Sequence, residues 1–301
     1  MTELHPLGGD TDRRLAAAGL DAHAVGRLVR AAVDEDLGGG RDVTSMAAIA
    51  AGHIGTATFG ARTAGVIAGL PVAAAVLDVV CGPAADIEYR CADGDRVPAG
   101  TVLMSVTAPT RALLTAERTA LNFLCHLSGV ATRTRAWADA LAGTAARVRD
   151  TRKTTPGLRA LEKYAVRCGG GTNHRMGLAD MALVKDNHVA AAGGITAAYR
   201  LVRELEAEIP VQVEVDSLAG LAEAIDAGVS EILIDNFTVE QMVQAVAYRA
   251  ANAPHVRLEA SGGLTVATAR AVAETGVDWI AVGELTHSAP ILDIGLDIAD
   301  A

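Results

Sequence analysis

The sequence predicts an α/β chain whose second half is a (β/α) barrel. Six short apolar runs, at 147–153, 182–186, 211–216, 231–236, 257–263 and 279–284, each stop on a charged or glycine-rich step. The stretches between them, such as 217–228 and 265–276, carry alanine and leucine at helical spacing and end on glycine, so each holds one crossover helix. Half of the residues are hydrophobic, enough to bury a sizeable core. A barrel shows its strand C-termini on one face, where enzymes of this architecture keep their chemistry. Arg152, Lys153, Lys185, Glu214, Asp235 and the glycines after Ser261 and Val282 are therefore expected around one mouth.

Ahead of the barrel, residues 1–20 read as a loose polar leader without the apolar core of a signal peptide. Val25, Leu28, Val29 and Val33 then share one helical face behind Asp21, a suitable N-cap. From 52 to 106, short strands broken by glycine, proline and Asp-Gly turns make a β-rich module. Its Gly-Asp-x-Val rhythm at 94–97 is similar to the hammerhead of lipoyl and biotinyl carriers, but no lysine precedes Lys153 to bear the prosthetic group. A long helix is expected at 115–137, capped by Thr115, with Leu121, Leu124 and Leu127 facing a core and the helix bridging the two domains. In that register Arg118 falls in the first turn, where the helix dipole disfavours a cation.

Net charge −10 and 3% aromatic residues argue against a nucleic-acid surface, so phosphate binding must be local. The most apolar stretch, 66–80, is too short to span a bilayer, and no membrane role is expected. Cys81, Cys91, Cys125 and Cys168 are scattered without metal-site or disulfide spacing, which suits a reducing, cytoplasmic setting.

Four loops and three strand ends carry the chemistry. Thr151-Arg152-Lys153 leaves a strand with two adjacent cations, one a planar fork for carboxylates and one a mobile point charge. Gly169-Gly170-Gly171 precedes His174-Arg175, a second anion-binding pair behind a backbone that permits close approach. Lys185 at a strand end can hold phosphate or, if desolvated, form a Schiff base, so an aldolase is a rival reading of the residues alone. Glu214 and Asp235 end consecutive strands and suit ribose hydroxyls, magnesium or a developing cation; a salt-bridge network with nearby lysines is the plainer alternative. Finally, Ser261-Gly262-Gly263 and Val282-Gly283-Glu284, with His287, place backbone amides after the last two strands, the customary phosphate site of such barrels.

These blocks resemble the quinolinate phosphoribosyltransferase family over nearly the whole chain. The resemblance rests on Glu35-Asp36-Leu37-Gly38, Asp42-Val43-Thr44-Ser45, Ala116-Glu117-Arg118-Thr119-Ala120-Leu121-Asn122, the segments 150–159 and 170–188, Glu214-Val215-Asp216, Asp235-Asn236 and 259–263. It implies an N-terminal α/β sandwich over 1–125, an incomplete α/β barrel over 126–288, and a C-terminal tail, 289–301, returning to the first domain. The implied activity, that of a pentosyltransferase in NAD biosynthesis, joins quinolinate to phosphoribosyl pyrophosphate and releases nicotinate mononucleotide, pyrophosphate and carbon dioxide. In that scheme Arg118, Thr151, Arg152, Lys153, His174, Arg175, Lys185, Glu214 and Asp235 meet substrate, and of these Lys153, Lys185, Glu214 and Asp235 are catalytic. Ser261, Gly262, Gly263, Val282, Gly283, Glu284 and His287 hold phosphate, and Mg2+ sits on Glu214 and Asp235 through water or substrate. A homodimer or higher oligomer, with Arg118 acting across the interface, is also implied.

Overall fold

The computed structural model describes residues 4–299 and divides them into two compact units. The first three residues of the expected leader and the last two of the expected tail lie outside the described residues. The first unit runs to Arg133 and also takes in Thr155–Gly170 and the chain from Ser288 onward; the second holds Thr134–Thr154 and Gly171–His287.

The first unit opens with α1 (Gly9–Ala17), α2 (Ala22–Leu37) and α3 (Val43–Ala48). The leader is docked and partly helical: Leu15 is fully buried, Gly8 N donates to Asp78 Oδ2 at 2.8 Å, and His5 N donates to Val79 O at 2.9 Å. Its charges, Asp10, Asp12, Arg13 and Arg14, cover the outer face of α1 and mask the anchoring Leu15 and Leu20. Asp21 caps α2 as expected, accepting from His23 N and Ala24 N.

Next come β1 (Ile54–Ala61), β2 (Gly65–Val66), α4 (Leu70–Cys81), β3 (Asp86–Tyr89), β4 (Arg96–Val97) and β5 (Val102–Pro109). The module expected to be β-rich also contains a helix, α4, buried at every residue except Asp78. Asp93, from the Asp-Gly turn, accepts from Gly69 N and Leu70 N at 2.8 and 3.1 Å and so caps α4 from a distance.

A helix, α5 (Thr110–Ala140), follows without a gap because Pro109 ends the strand; its residues up to Arg133 count with the first unit. It begins five residues before the expected start, which corrects two readings. Thr115 is not a cap, its hydroxyl oxygen lying 2.9 Å from Arg111 O one turn back inside the helix, and Arg118 sits beyond the first turn, clear of the dipole effect.

The remaining elements are β6 (Arg147–Arg149), α6 (Arg159–Cys168), β7 (Ala182–Val184), α7 (Asp186–Ala192), α8 (Ile195–Leu205), β8 (Val211–Val215), α9 (Leu218–Asp226), β9 (Glu231–Asp235), α10 (Val239–Asn252), β10 (Arg257–Ser261), α11 (Val266–Glu274), β11 (Trp279–Ala281), α12 (Glu284–His287) and β12 (Ile294–Ala299). Of these, α6 and β12 belong to the first unit. There β12 pairs antiparallel with β1, completing a four-stranded sheet in the order β12-β1-β5-β3.

The second unit holds a six-stranded sheet in the order β6-β11-β10-β9-β8-β7, parallel throughout. Its edge strands β6 and β7 do not pair with each other among the described residues, so the barrel is incomplete. Strand β8 alternates apolar and polar residues, Val211-Gln212-Val213-Glu214-Val215. Because successive side chains point to opposite faces, Val213, Ile232, Ile234, Leu258 and Ile280 share the outer face that the helices cover. Gln212, Glu214, Asp235, Glu259 and Ser261 line the inner one.

Candidate active site

Two adjoining cavities open at the strand C-termini of the second unit. One, of about 410 Å3, is lined by Thr151, Arg152, Lys153, His174, Arg175, Leu183, Lys185, Glu214, Leu233, Asp235, Glu259, Ser261 and Ala281. The other, of about 430 Å3, shares Thr151, Lys153, Asp235, Ser261 and Ala281, and adds Asn236, Gly262, Gly263, Leu264, Val282, Gly283, Glu284 and His287. Every expected site residue except Arg118 lines one or both; Arg118 is exposed on α5 in the first unit.

The first cavity gathers cations. Arg175 is half-buried, and Nη1 donates to Met181 O at 2.8 Å. Burial, and then the neighbouring Arg152 charge, pull its guanidinium below the ordinary arginine value. Arg152 Nε is buried with no hydrogen-bond partner among the described residues. Two partly buried guanidinium groups, with Lys153 and Lys185 on the same walls, make a cavity that favours an anionic ligand.

Lys185 is ion-paired with Glu214, so the plainer alternative for that carboxylate is present in the structure. The lysine is also 45% exposed, an environment without the desolvation a Schiff-base lysine needs. Asp235 accepts from Asn236 Nδ2 at 2.7 Å. Among the described non-glycine residues only Asn236 has positive φ, at 56°, strain of the kind that clusters at functional sites.

The second cavity is made of backbone. Gly262 has φ +91°, and a Cβ there would lie 2.9 Å from Asn236 N, so only glycine lets the β9 and β10 loops approach this closely. In the last loop the Glu284 carboxylate accepts from Trp137 Nε1 at 2.9 Å. A phosphate there would therefore meet main-chain N–H groups and not this side chain.

Below the cavities lies a network that strand-end reasoning missed. His174, expected as a cation, is 8% exposed. Its Nε2 lies 2.9 Å from Gln212 Oε1; Gln212 Nε2 donates to Glu259 Oε2 at 2.8 Å, and Arg149 Nη1 donates to the same oxygen at 2.9 Å. Gln212 and Glu259 are fully buried. The available signal was a polar residue at alternate positions in otherwise apolar strands.

Carboxylates at adjacent strand ends, a doubled guanidinium and glycine-lined loops after the last strands define a barrel enzyme that binds polyanions, with a small α/β domain attached. Comparison with known proteins narrows this. The family model for the quinolinate phosphoribosyl transferase C-terminal domain matches residues 130–297, and that for the N-terminal domain matches 42–128. The nicotinate-nucleotide pyrophosphorylase [carboxylating] of Mycobacterium leprae is 54% identical over 275 residues, 90% of this chain and 95% of that one. A probable enzyme of the same name from Synechocystis is 43% identical over 266 residues, 88% and 89% of the two chains. The solved nicotinate-nucleotide pyrophosphorylase of Francisella tularensis superposes with a TM-score of 0.87 at 37% identity, covering 92% of this chain and 96% of that one. The chain belongs to the quinolinate phosphoribosyltransferase family.

Proposed function

We propose that the cation-lined cavity holds quinolinate and the glycine-lined cavity holds phosphoribosyl pyrophosphate, the residues they share carrying the transfer between them. The chain is a quinolinate phosphoribosyltransferase of the decarboxylating type, an enzyme of NAD biosynthesis. The juxtaposition of Arg152 and Arg175 carries the assignment of cavities, because a pyridine dicarboxylate supplies the two negative charges that the pair requires.

Arg152, Lys153, Arg175 and Lys185 hold the carboxylates and orient the ring nitrogen. The main-chain N–H groups of the Ser261-Gly262-Gly263 loop and of Gly283 and Glu284, with Lys153 and His287, hold the phosphates, whereas Val282 N already donates to Arg149 O at 2.9 Å and only lines the cavity. The nitrogen attacks the anomeric carbon as the bond to pyrophosphate breaks, and Glu214 and Asp235 stabilise the positive charge developing on the ribose. Once ribosylated, the pyridinium accepts the electron pair left as carbon dioxide departs from the adjacent carbon, and a proton takes its place.

The two carboxylates also fit Mg2+, which is commonly held by one or two carboxylates together with water and substrate phosphates. When bound there, Mg2+ would neutralise charge on the departing pyrophosphate. Arg118, exposed on α5, is free to reach a second copy in a homodimer. The four unbridged thiols support a cytoplasmic location. Among the described residues no helix is long and apolar enough to cross a membrane.

The test is direct. Purified protein supplied with Mg2+, quinolinate and phosphoribosyl pyrophosphate should release nicotinate mononucleotide, pyrophosphate and carbon dioxide in equal amounts. Absence of all three products would overturn the reading.

A further inference from the structure

The hydrogen-bond network beneath the cationic cavity runs in one direction, and both of its ends fix the protonation of the histidine in its middle. At one end Glu259 accepts at Oε2 from Arg149 Nη1 at 2.9 Å, so the carboxylate is held as an acceptor. Gln212 must then turn its NH2 toward Glu259, as the 2.8 Å contact requires, and its oxygen toward His174 Nε2, 2.9 Å away. An amide oxygen only accepts, so Nε2 carries a hydrogen. At the other end Arg175 N lies 2.7 Å from His174 Nδ1. A main-chain amide only donates, so Nδ1 carries none. Two independent arguments reach the same species, the neutral imidazole protonated at Nε2.

We propose that Gln212 is a positioning residue, which locks His174 in this neutral tautomer so that Nδ1 can anchor the main chain of Arg175 at the wall of the dicarboxylate cavity. The inference rests on the assignment of that cavity to quinolinate. Charged groups surround His174 from several elements: Glu259, 3.7 Å from Nε2, on β10; Arg149 on β6, which donates to Glu259 and lies 3.6 Å from Glu231 on β9; Asp150, which accepts from His174 N at 2.7 Å; and Arg175. Without the intervening amide, His174 Nε2 would face Glu259 directly. That pairing favours the imidazolium, which has no lone pair left for Arg175 N–H. Arg175 would then lose its main-chain anchor, and quinolinate one of its two guanidinium partners. His174 thus adds no charge to the cavity, whose field comes from Arg152, Lys153, Arg175 and Lys185.

The experiment has two arms. In the first, 15N NMR of the histidine side chains of the unliganded wild-type protein near pH 7, with the His174 signal assigned by its loss in His174→Gln, should show the neutral Nε2–H tautomer. An Nδ1–H or doubly protonated ring would overturn the proposal. In the second, Gln212→Leu should raise the quinolinate KM about tenfold, leaving kcat and the phosphoribosyl pyrophosphate KM within about twofold of wild type. A folded Gln212→Leu protein with the wild-type quinolinate KM would equally overturn it. Gln212→Glu, which puts a carboxylate against Nε2, should turn the His174 signal to that of an imidazolium; a neutral ring in that variant counts against the lock. Because the first arm needs no substrate, an enzyme inactive on quinolinate would overturn the functional assignment and leave the tautomer to be decided by the spectrum.

Discussion

Arg175 does two jobs with two different groups, its amide bound to His174 Nδ1 and its guanidinium reaching the cavity beside Arg152. Arg175→Ala removes only the second, so the quinolinate KM should rise about 10- to 100-fold, the loss expected when a charge-assisted hydrogen bond is deleted in a partly desolvated site. Steady-state kinetics with quinolinate varied at saturating donor would show it, and an unchanged KM would reject the assignment. Glu214 is the opposite case, since its carboxylate is already paired with Lys185. If its charge acts mainly as the ribose becomes cationic, Glu214→Gln should lower kcat by about 100-fold or more while donor affinity changes much less. A loss confined to donor KM would make it a ground-state contact. The cations at strand ends were legible in the sequence because a strand-end charge after an apolar run has few structural uses. Gln212, Glu259 and Arg149 were not, since a polar residue at every second position reads the same whether that face meets solvent or a polar barrel interior.

The pH response of single elements follows from their caps. Asp42 caps α3, accepting from Ser45 N at 2.9 Å, and also accepts from Thr115 Oγ1 on α5 at 3.3 Å. Burial works against ionisation, yet the hydrogen bonds from Ser45 and Thr115 outweigh it and hold the carboxyl below the ordinary aspartate value. A carboxyl depressed in the folded state contributes stability that is complete above the unfolded value, about pH 4, and is lost as pH falls through the folded one. Urea unfolding from pH 6 downward should show that loss in the wild type and a smaller one in Asp42→Asn; identical slopes would remove Asp42 from the account. The elements differ in how readable they were. Barrel strands and the caps of α2, α9 and α11 announce themselves through local chemistry, with Asp21, Ser217 and Thr265 each accepting from a first-turn amide. By contrast α4, buried on all sides, has no polar face to give it a 3.6-residue period. Its capping residue, Asp93, comes from beyond its C-terminus in the sequence, where no local pattern could reveal it.

Across the whole molecule the chain repeatedly crosses between units: α6 joins the first unit although its neighbours in sequence, β6 and β7, belong to the barrel, and the chain rejoins the first unit again from Ser288. That last return is tightly specified. Leu292 N donates to Cys125 O at 3.0 Å, Arg62 N donates to Asp293 O at 2.8 Å, and β12 runs in continuous antiparallel register with β1 from Ile294 opposite Ala61 to Ala299 opposite Thr56. The tail also presses on α5 so closely that a Cβ at Gly129 would come within 2.9 Å of Ile291 Cα, which accounts for the glycine in that helix. Leu292 and Ile294 are buried, and removing two such side chains from water contributes about 3–6 kcal/mol. Deleting residues 291–301 should therefore destabilise the first unit by at least about 3 kcal/mol, and leave β1 as an unpaired edge open to association with other chains. Gly129→Val, which displaces the tail without shortening the chain, should reproduce the loss of stability in milder form. Denaturant unfolding with size-exclusion chromatography would measure both effects, and a truncated protein with the wild-type midpoint and elution volume would show that the β12 pairing adds nothing to the fold.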